Sequence, residues 1–271
     1  MSNPPAAAAA NPVLLETSAN GVALLVMNRP EKLNALNGEM ATALNQTFER
    51  IGKDSSVRVV VIAGAGRAFC AGGDLEIIGK GRKARDVKQL EPILRAGCGA
   101  VFRMRMIPQP IIAAVNGAAA GAGMNIALAA DIRIAAEEAV FGQNFAKVGL
   151  FPDYGGTYFL PQLVGPSKAA ELFYTGDMID AQTALKLGIV NRVVPGAQLE
   201  LEVKNLAAKL AAGPSIAIRA VKQTLFGSEK DVLNRALEAE VQYQMRCFNS
   251  DDCLEGIQAF TEKRAPKFQG R

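Results

Sequence analysis

Two glycine-rich segments constrain this chain most. Each follows a short run of apolar, largely β-branched residues and leads into a helix-like stretch. Val57–Ala63 runs into Gly66-Arg67-Ala68-Phe69-Cys70-Ala71-Gly72-Gly73-Asp74-Leu75. Ile111–Val115 runs into Asn116-Gly117-Ala118-Ala119-Ala120-Gly121-Ala122-Gly123-Met124-Asn125. Apolar runs of this kind read as strands buried on both faces. A helix N-terminus offers unpaired N–H groups and the positive end of a dipole. Two such ends aimed at one point form an oxyanion hole, and glycine keeps side chains clear of a close ligand. Taken singly, such turns are usually packing solutions, and neither matches a phosphate loop or a dinucleotide fingerprint.

Around these turns, strands alternate with helices, which predicts an α/β class. Val13–Ser18 and Val22–Met27 read as a hairpin around Asn20-Gly21. Glu39–Lys53 carries Met40, Leu44, Phe48 and Ile51 at helical spacing. Residues 80–106 are basic and helical in pattern, expected as a mobile connection. Ile132–Ala135 and Ala139–Gly142 read as further short strands. Beyond about residue 196 the pattern is helical: Leu199–Ala212, Ser215–Leu225, Asp231–Phe248 and Asp251–Lys263. The expected organisation is a tail over 1–12, a core over 13–196 and a helical appendage for subunit contact over 197–271. No internal repeat is visible.

Composition narrows the chemistry. The chain contains no histidine, which removes the commonest general base, the Ser-His-Asp triad and nearly all zinc sites. Acid–base work falls to carboxylates, Lys, Tyr or Cys. Cys70, Cys98, Cys247 and Cys253 show no paired spacing and read as reduced thiols of a cytoplasmic protein. The net charge of +4 is spread along the chain, with no basic stripe for nucleic acid. No segment has the length and apolarity of a membrane span, and the Ala- and Pro-rich start is a poor secretion signal.

In order, the chain carries NRPEKLNAL (Asn28–Leu36), GRAFCAGGDL (Gly66–Leu75), PIIAAVNGAAAGAGMNIALAADIRIA (Pro110–Ala135), FGQNFAKVGLFPDYGGTYFLPQLVG (Phe141–Gly165), LFYTGDMIDAQTALKLGIVNRVV (Leu172–Val194) and AFTEKRAPKF (Ala259–Phe268). This series resembles the crotonase superfamily, the enoyl-CoA hydratase/isomerase family, over about residues 13–268. The resemblance implies a spiral of ββα units with a C-terminal helical trimerisation region, assembled as trimers or dimers of trimers. It places the two oxyanion N–H groups on Gly73 and Ala122, where many members have Gly at the second position. A need for positive φ there would strain alanine. It also places coenzyme A, as part of the substrate and with no separate cofactor, beside Lys32, Leu33 and Ala35 and against the backbone of Ala71 and Leu75. Phe260 and Lys263 match residues that touch the nucleotide end, from a neighbouring subunit. Without the resemblance, Lys32 and Lys263 read as surface lysines.

The two glutamates of the family's hydratases fall on Asn125 and Phe145 in this chain. Hydration of a conjugated double bond needs a base for the water and an acid for the α-carbon, and neither residue supplies one. One acid remains in the right stretch, Asp153, matching the single acid of members that shift double bonds and the nucleophile of the aryl-CoA dehalogenase branch. Apolar Phe145, Phe151 and Tyr154 are expected to desolvate it and raise its pKa. Asp153 after Pro152 and before a helix is also a good N-cap. Asn125 reads equally as a buried structural amide or a substrate contact, and Tyr154 as packing or as a cover for the acyl pocket. Asp74 reads as a helix cap beside the site, Asp131 as a pin for strand geometry and Cys70 as a core residue. The leading expectation is an enoyl-CoA double-bond isomerase. The alternatives are a divergent hydratase, a hydrolase or dehalogenase using Asp153 as nucleophile, and a non-catalytic acyl-CoA-binding scaffold. The dehalogenase resemblance lacks that branch's tryptophan, replaced by Phe145, and any histidine.

Overall fold

The computed structural model describes residues 11–271. Of the expected tail, residues 1–10 lie outside the described residues. Pro12 is already tied into the fold, its carbonyl accepting the Asn28 N–H at 2.7 Å.

The chain opens with the antiparallel pair β1 (Val13–Thr17) and β2 (Val22–Met27), then α1 (Gly38–Lys53). Three passes of one path follow. In the first, β3 (Val59–Gly64) turns into β4 (Ala68–Cys70) and leads to α2 (Leu75–Lys83) and α3 (Leu90–Met106). In the second, β5 (Ile111–Val115) turns into β6 (Ala118–Ala120) and leads to α4 (Ala122–Ala129). In the third, β7 (Ile132–Ala136) turns into β8 (Val140–Gly142) and leads to α5 (Gly156–Thr175), which kinks at Gly165. Then come β9 (Met178–Asp180), α6 (Ala181–Lys186), β10 (Arg192–Val194) and four helices: α7 (Gly196–Ala212), α8 (Ser215–Phe226), α9 (Lys230–Asn249) and α10 (Asp251–Glu262).

The first strand of each pass joins a large sheet of order β1-β2-β3-β5-β7-β10, and the second joins a small sheet of order β4-β6-β8-β9. Strands β3, β5 and β7 run parallel, as do β4, β6 and β8. The path is therefore a spiral that adds one strand to each sheet per pass. The repeat is geometric, and the strands of the small sheet are too short to imprint a period on the sequence.

Alternation along the large sheet explains its uninterrupted apolar strands. Val60, Ile62, Ile111 and Ala113 point into the main core. Val59, Val61, Ile112, Ala114 and Ile134 point to the other face, where Leu199, Val203, Ala207 and Ala211 of α7 cover them at a spacing of four. The C-terminal helices are thus not set apart from the core. Helix α7 closes the sheet, and α9 and α10 pack back onto α3, α2 and the 3-10 turn Asn144–Val148. Nor do residues 80–106 form a loose connection, because α3 buries Leu94, Cys98, Val101 and Met104 between α1 and α9.

Successive passes approach so closely that a side chain cannot fit between them. A Cβ on Gly123 would lie 2.1 Å from the Cys70 carbonyl oxygen. Backbone cannot yield there as a flexible side chain would. Gly123→Ala is expected to destabilise the protein by about 1–3 kcal/mol, the range for overpacking, measured by urea denaturation. An unchanged midpoint would mean that the passes have room to spread.

Candidate active site

Both glycine-rich turns end at one narrow cavity, which Gly73 and Ala122 line together with Asp153 and Tyr154. The small sheet brings the turns together, since β4 and β6 are neighbours and each turn continues from one of them. A Cβ on Gly72, whose φ is +97°, would lie 2.8 Å from the Ala120 carbonyl oxygen, so this contact requires glycine. The Leu36 N–H donates to the Gly72 carbonyl, and the Asp74 N–H donates to the Leu36 carbonyl at 3.0 Å. These bonds flank Gly73 on one side and turn its own N–H the other way. Among the described residues that N–H meets no acceptor. Ala122 is the first residue of α4, so its N–H has no partner within the helix. The positive φ of this turn, +52°, falls on Gly121, and Ala122 itself is helical and unstrained. The cost expected for alanine does not arise.

Apart from Asn37 and Asp74, the cavity's remaining wall is apolar. Ile77 and Ile78 come from α2, Leu90, Ile93 and Leu94 from α3, and Phe248 from α9. The helical segment 75–106 thus supplies most of it. Asp74 is at the rim, but both its oxygens are engaged. One caps α2 through the Glu76 N–H at 3.2 Å, and the other pairs with Arg29 at 3.2 Å.

Asp153 is only 7% exposed. Its Oδ2 accepts the Gln244 Nε2–H at 2.9 Å, and its Oδ1 is buried with no partner. Burial pushes its carboxyl up to about 8, against a lowering by the Gln244 hydrogen bond and with a further rise from the negative charge of Glu240. The side chain does not cap α5. Helix α5 begins after Gly155, which has no side chain to offer, and the cap comes from Glu240 on α9. Its two oxygens accept the N–H groups of Gly155 at 2.7 Å and Thr157 at 2.9 Å, and also the Thr157 hydroxyl. Glu240 is 1% exposed, and burial raises its carboxyl to about 7 against those hydrogen bonds.

Tyr154 adopts φ +53°, a conformation that costs a non-glycine residue about 1–3 kcal/mol. Its burial against Gly97 of α3 offsets this, and a Cβ at Gly97 would fall inside the tyrosine ring. Asn125 is fully buried, is hydrogen-bonded within the protein and does not line the cavity. Its Nδ2–H donates to the Asp153 carbonyl at 2.7 Å, while its Oδ1 accepts the Gln143 Nε2–H at 2.6 Å. Phe145 is buried beside Gly121, outside the cavity wall. Asp131 accepts the Ile111 N–H at 2.7 Å, and Cys70 is a core thiol raised to about 12 by burial.

The segments assigned to coenzyme A lie edge to edge. The Ala71 N–H donates to the Leu33 carbonyl, and the Ala35 N–H to the Lys32 carbonyl, both at 3.0 Å. Leu75 opens α2 behind them. Lys32 is exposed and pairs with Glu76 at 3.0 Å. Phe260 and Lys263, at the end of α10, are exposed and do not line the cavity of their own chain. Sequence reasoning missed Glu240 and Gln244. Their signal was present: Leu233, Leu237, Glu240, Val241, Gln244 and Phe248 form one stripe at helical spacing, and all six are buried.

The described residues contain no group of three His, Cys, Asp or Glu side chains placed to hold a metal ion. None of their helices is long and apolar enough to cross a membrane.

A family model described as enoyl-CoA hydratase/isomerase matches residues 17–271, and the chain belongs to that family, within the crotonase superfamily. It is 38% identical over 258 residues to 1,2-epoxyphenylacetyl-CoA isomerase of Escherichia coli K12, covering 93% of this chain and 96% of that protein. It is 35% identical to the short-chain-enoyl-CoA hydratase of Clostridium acetobutylicum, covering 94% and 96% respectively. The crystal structure of an enoyl-CoA hydratase from Mycobacterium avium subsp. paratuberculosis K-10 superposes with a TM-score of 0.86 at 32% identity, covering 95% of this chain and 98% of that one. The fold is the crotonase fold, and relatives carry both hydratase and isomerase names.

Replacing Asn125 with alanine strands the Asp153 carbonyl and the Gln143 amide. Asn125→Ala is expected to lower stability by about 1–3 kcal/mol, read from thermal and urea unfolding, with KM for acyl-CoA unchanged. A raised KM at unchanged stability would return Asn125 to the substrate.

Proposed function

We propose that this protein is an enoyl-CoA double-bond isomerase in which Asp153 is the single proton carrier. The observation that carries this reading is the Oδ1 of Asp153, a buried carboxyl oxygen with no protein partner, on a residue that lines the same cavity as Gly73 and Ala122, whose N–H groups meet no acceptor among the described residues. The acyl thioester binds with its carbonyl oxygen toward the N–H groups of Gly73 and Ala122. The Asp153 carboxylate removes a proton from the carbon between the thioester and the double bond. The electron pair moves onto the thioester oxygen, and the two N–H groups stabilise the resulting dienolate. The same carboxyl then returns the proton to the γ-carbon as the double bond moves into conjugation.

Hydration is disfavoured because it needs a second acid–base group. Asn125 is committed to its neighbours, and Phe145 has no proton to exchange. Asp74, the other carboxyl at the cavity, caps α2 and is ion-paired with Arg29. Coenzyme A enters as part of the substrate, so no separate cofactor is needed. The apolar wall suits an uncharged acyl chain. We assign the protein to the cytoplasm and to a homo-oligomer, a trimer or a dimer of trimers. Exposed Ile216, Val221 and Leu225 on α8 offer an apolar surface for self-association, and Phe260 and Lys263 would then serve a neighbour's nucleotide site.

Turnover of 3-enoyl-CoA and 2-enoyl-CoA separates the readings. The wild type is expected to convert 3-enoyl to 2-enoyl thioester without forming hydroxyacyl-CoA. Asp153→Asn is expected to lose at least about 100-fold in kcat, the usual scale of general acid–base catalysis, while binding acyl-CoA normally. Dominant hydration, or an unaffected variant, would defeat the proposal.

The pH dependence has a definite sign. Proton abstraction needs the ionised carboxylate, and burial holds its proton on up to about pH 8. The kcat/KM profile should therefore rise through neutral pH and level off above about 8. A profile already flat from pH 5 to 7 would mean that the base is an ordinary exposed carboxylate.

A further inference from the structure

Helix α9 lies against the loop that carries Asp153 and presents two buried polar side chains one helical turn apart, Glu240 and Gln244. Gln244 spends its whole amide on that loop. Its Oε1 accepts the Phe151 N–H at 3.0 Å, and its Nε2–H groups donate to the Phe151 carbonyl at 2.8 Å and to Asp153 Oδ2 at 2.9 Å. Glu240 holds the other end of the same loop through Gly155 and Thr157. Residues 151–157 are thus bonded on both sides of Asp153 by one turn of one helix. Neither Glu240 nor Gln244 lines the cavity.

We infer that Glu240 and Gln244 are the positioning residues of Asp153: Gln244 occupies Oδ2 so that Oδ1 alone faces the reacting carbon, and Glu240 holds the loop and sets a negative charge behind the base. The inference rests on Asp153 being the base, and deepens that reading. A carboxyl free to rotate would present either oxygen, and only one position can serve both the α- and γ-carbons. With Oδ2 tied back, the proton-carrying oxygen is fixed. The two partners also act on the proton in opposite directions. Gln244 donates to the ionised form and favours it, whereas the Glu240 charge opposes it.

The other groups facing Asp153 do not carry such a charge. Cys98 of α3 is a buried thiol held protonated by desolvation and by Asp153 itself. Tyr154 is a buried phenol whose pKa is likewise pushed up by burial. Asn125 of α4 meets only the Asp153 backbone. Across the cavity, the charge of Asp74 is paired with Arg29, and on the outer face of α9 Glu238 is paired with Arg95.

The test reads Asp153 directly. Full-length protein labelled with carboxyl-13C aspartate is titrated by NMR, with Asp153→Asn identifying the resonance, alongside the kcat/KM profile on 3-enoyl-CoA. Gln244→Met, which cannot donate, is expected to move the Asp153 midpoint upward by about one unit, with kcat lowered and KM kept. Glu240→Gln is expected to move it downward. A merely structural role for these side chains predicts lower melting temperatures with the midpoint unmoved, and that result overturns the inference. Each variant decides its own half, so a failure of one to fold leaves the other decisive. Opposite shifts in a protein that does not isomerise 3-enoyl-CoA would uphold the positioning pair and reject the isomerase reading. Isomerisation with unmoved midpoints would do the reverse.

Discussion

Helix α5 starts at a glycine, and its first N–H groups must find acceptors from elsewhere in a buried setting. In most helices the residue before the first turn supplies an oxygen. Here Glu240 supplies it from α9, eighty-five residues after Gly155 in the chain. The consequences run through the whole site. Asp153, the natural candidate for the cap, is released from that duty. Its carboxyl is instead left buried, bonded at one oxygen and bare at the other. The helix that performs the capping is also the helix that carries Gln244 and closes the cavity with Phe248. Capping, positioning and enclosure therefore depend on a single packing contact.

The spiral supplies the other half of the site. One strand per pass enters the small sheet, so successive strand-to-helix turns stack at one end of it. Stacking at that distance excludes side chains, which is why Gly72 and Gly123 stand where backbone meets backbone. The same closeness brings Gly73 and Ala122 to one cavity. The large sheet is sealed on its other face by α7.

Much of this was legible in the residues. The long buried strands β3 and β5 and all four C-terminal helices show in apolar periodicity, with ends within a few residues of those observed. The glycine turns and the isolated acid Asp153 follow from motif order. Strands β4 and β6 were hidden inside segments read as turns, because three residues cannot show a period. Residues 80–106 misled because their charges suggested exposure. Arg95 is exposed and Glu91 partly exposed on the outer side of α3, whose inner side holds Leu94, Cys98 and Val101, while Arg105 of the same helix is itself largely buried. Glu240 and Gln244 were passed over because polar residues on a helix are read as solvent-facing by default. Their register with Leu237, Val241 and Phe248 placed them in the buried stripe all along. The choice between cap and base for Asp153 was open to sequence because the true cap lies so far along the chain.

The central claim is that one buried carboxyl both removes and returns the proton. The most direct measurement follows the proton itself, using 3-enoyl-CoA deuterated at C2 and isomerised in ordinary water. A single shielded carboxyl predicts that part of the deuterium lost from C2 reappears at C4 of the 2-enoyl product, in molecules that never exchanged with solvent. Hydroxyacyl-CoA as the main product, or protium alone at C4 from the earliest turnovers, would contradict the account.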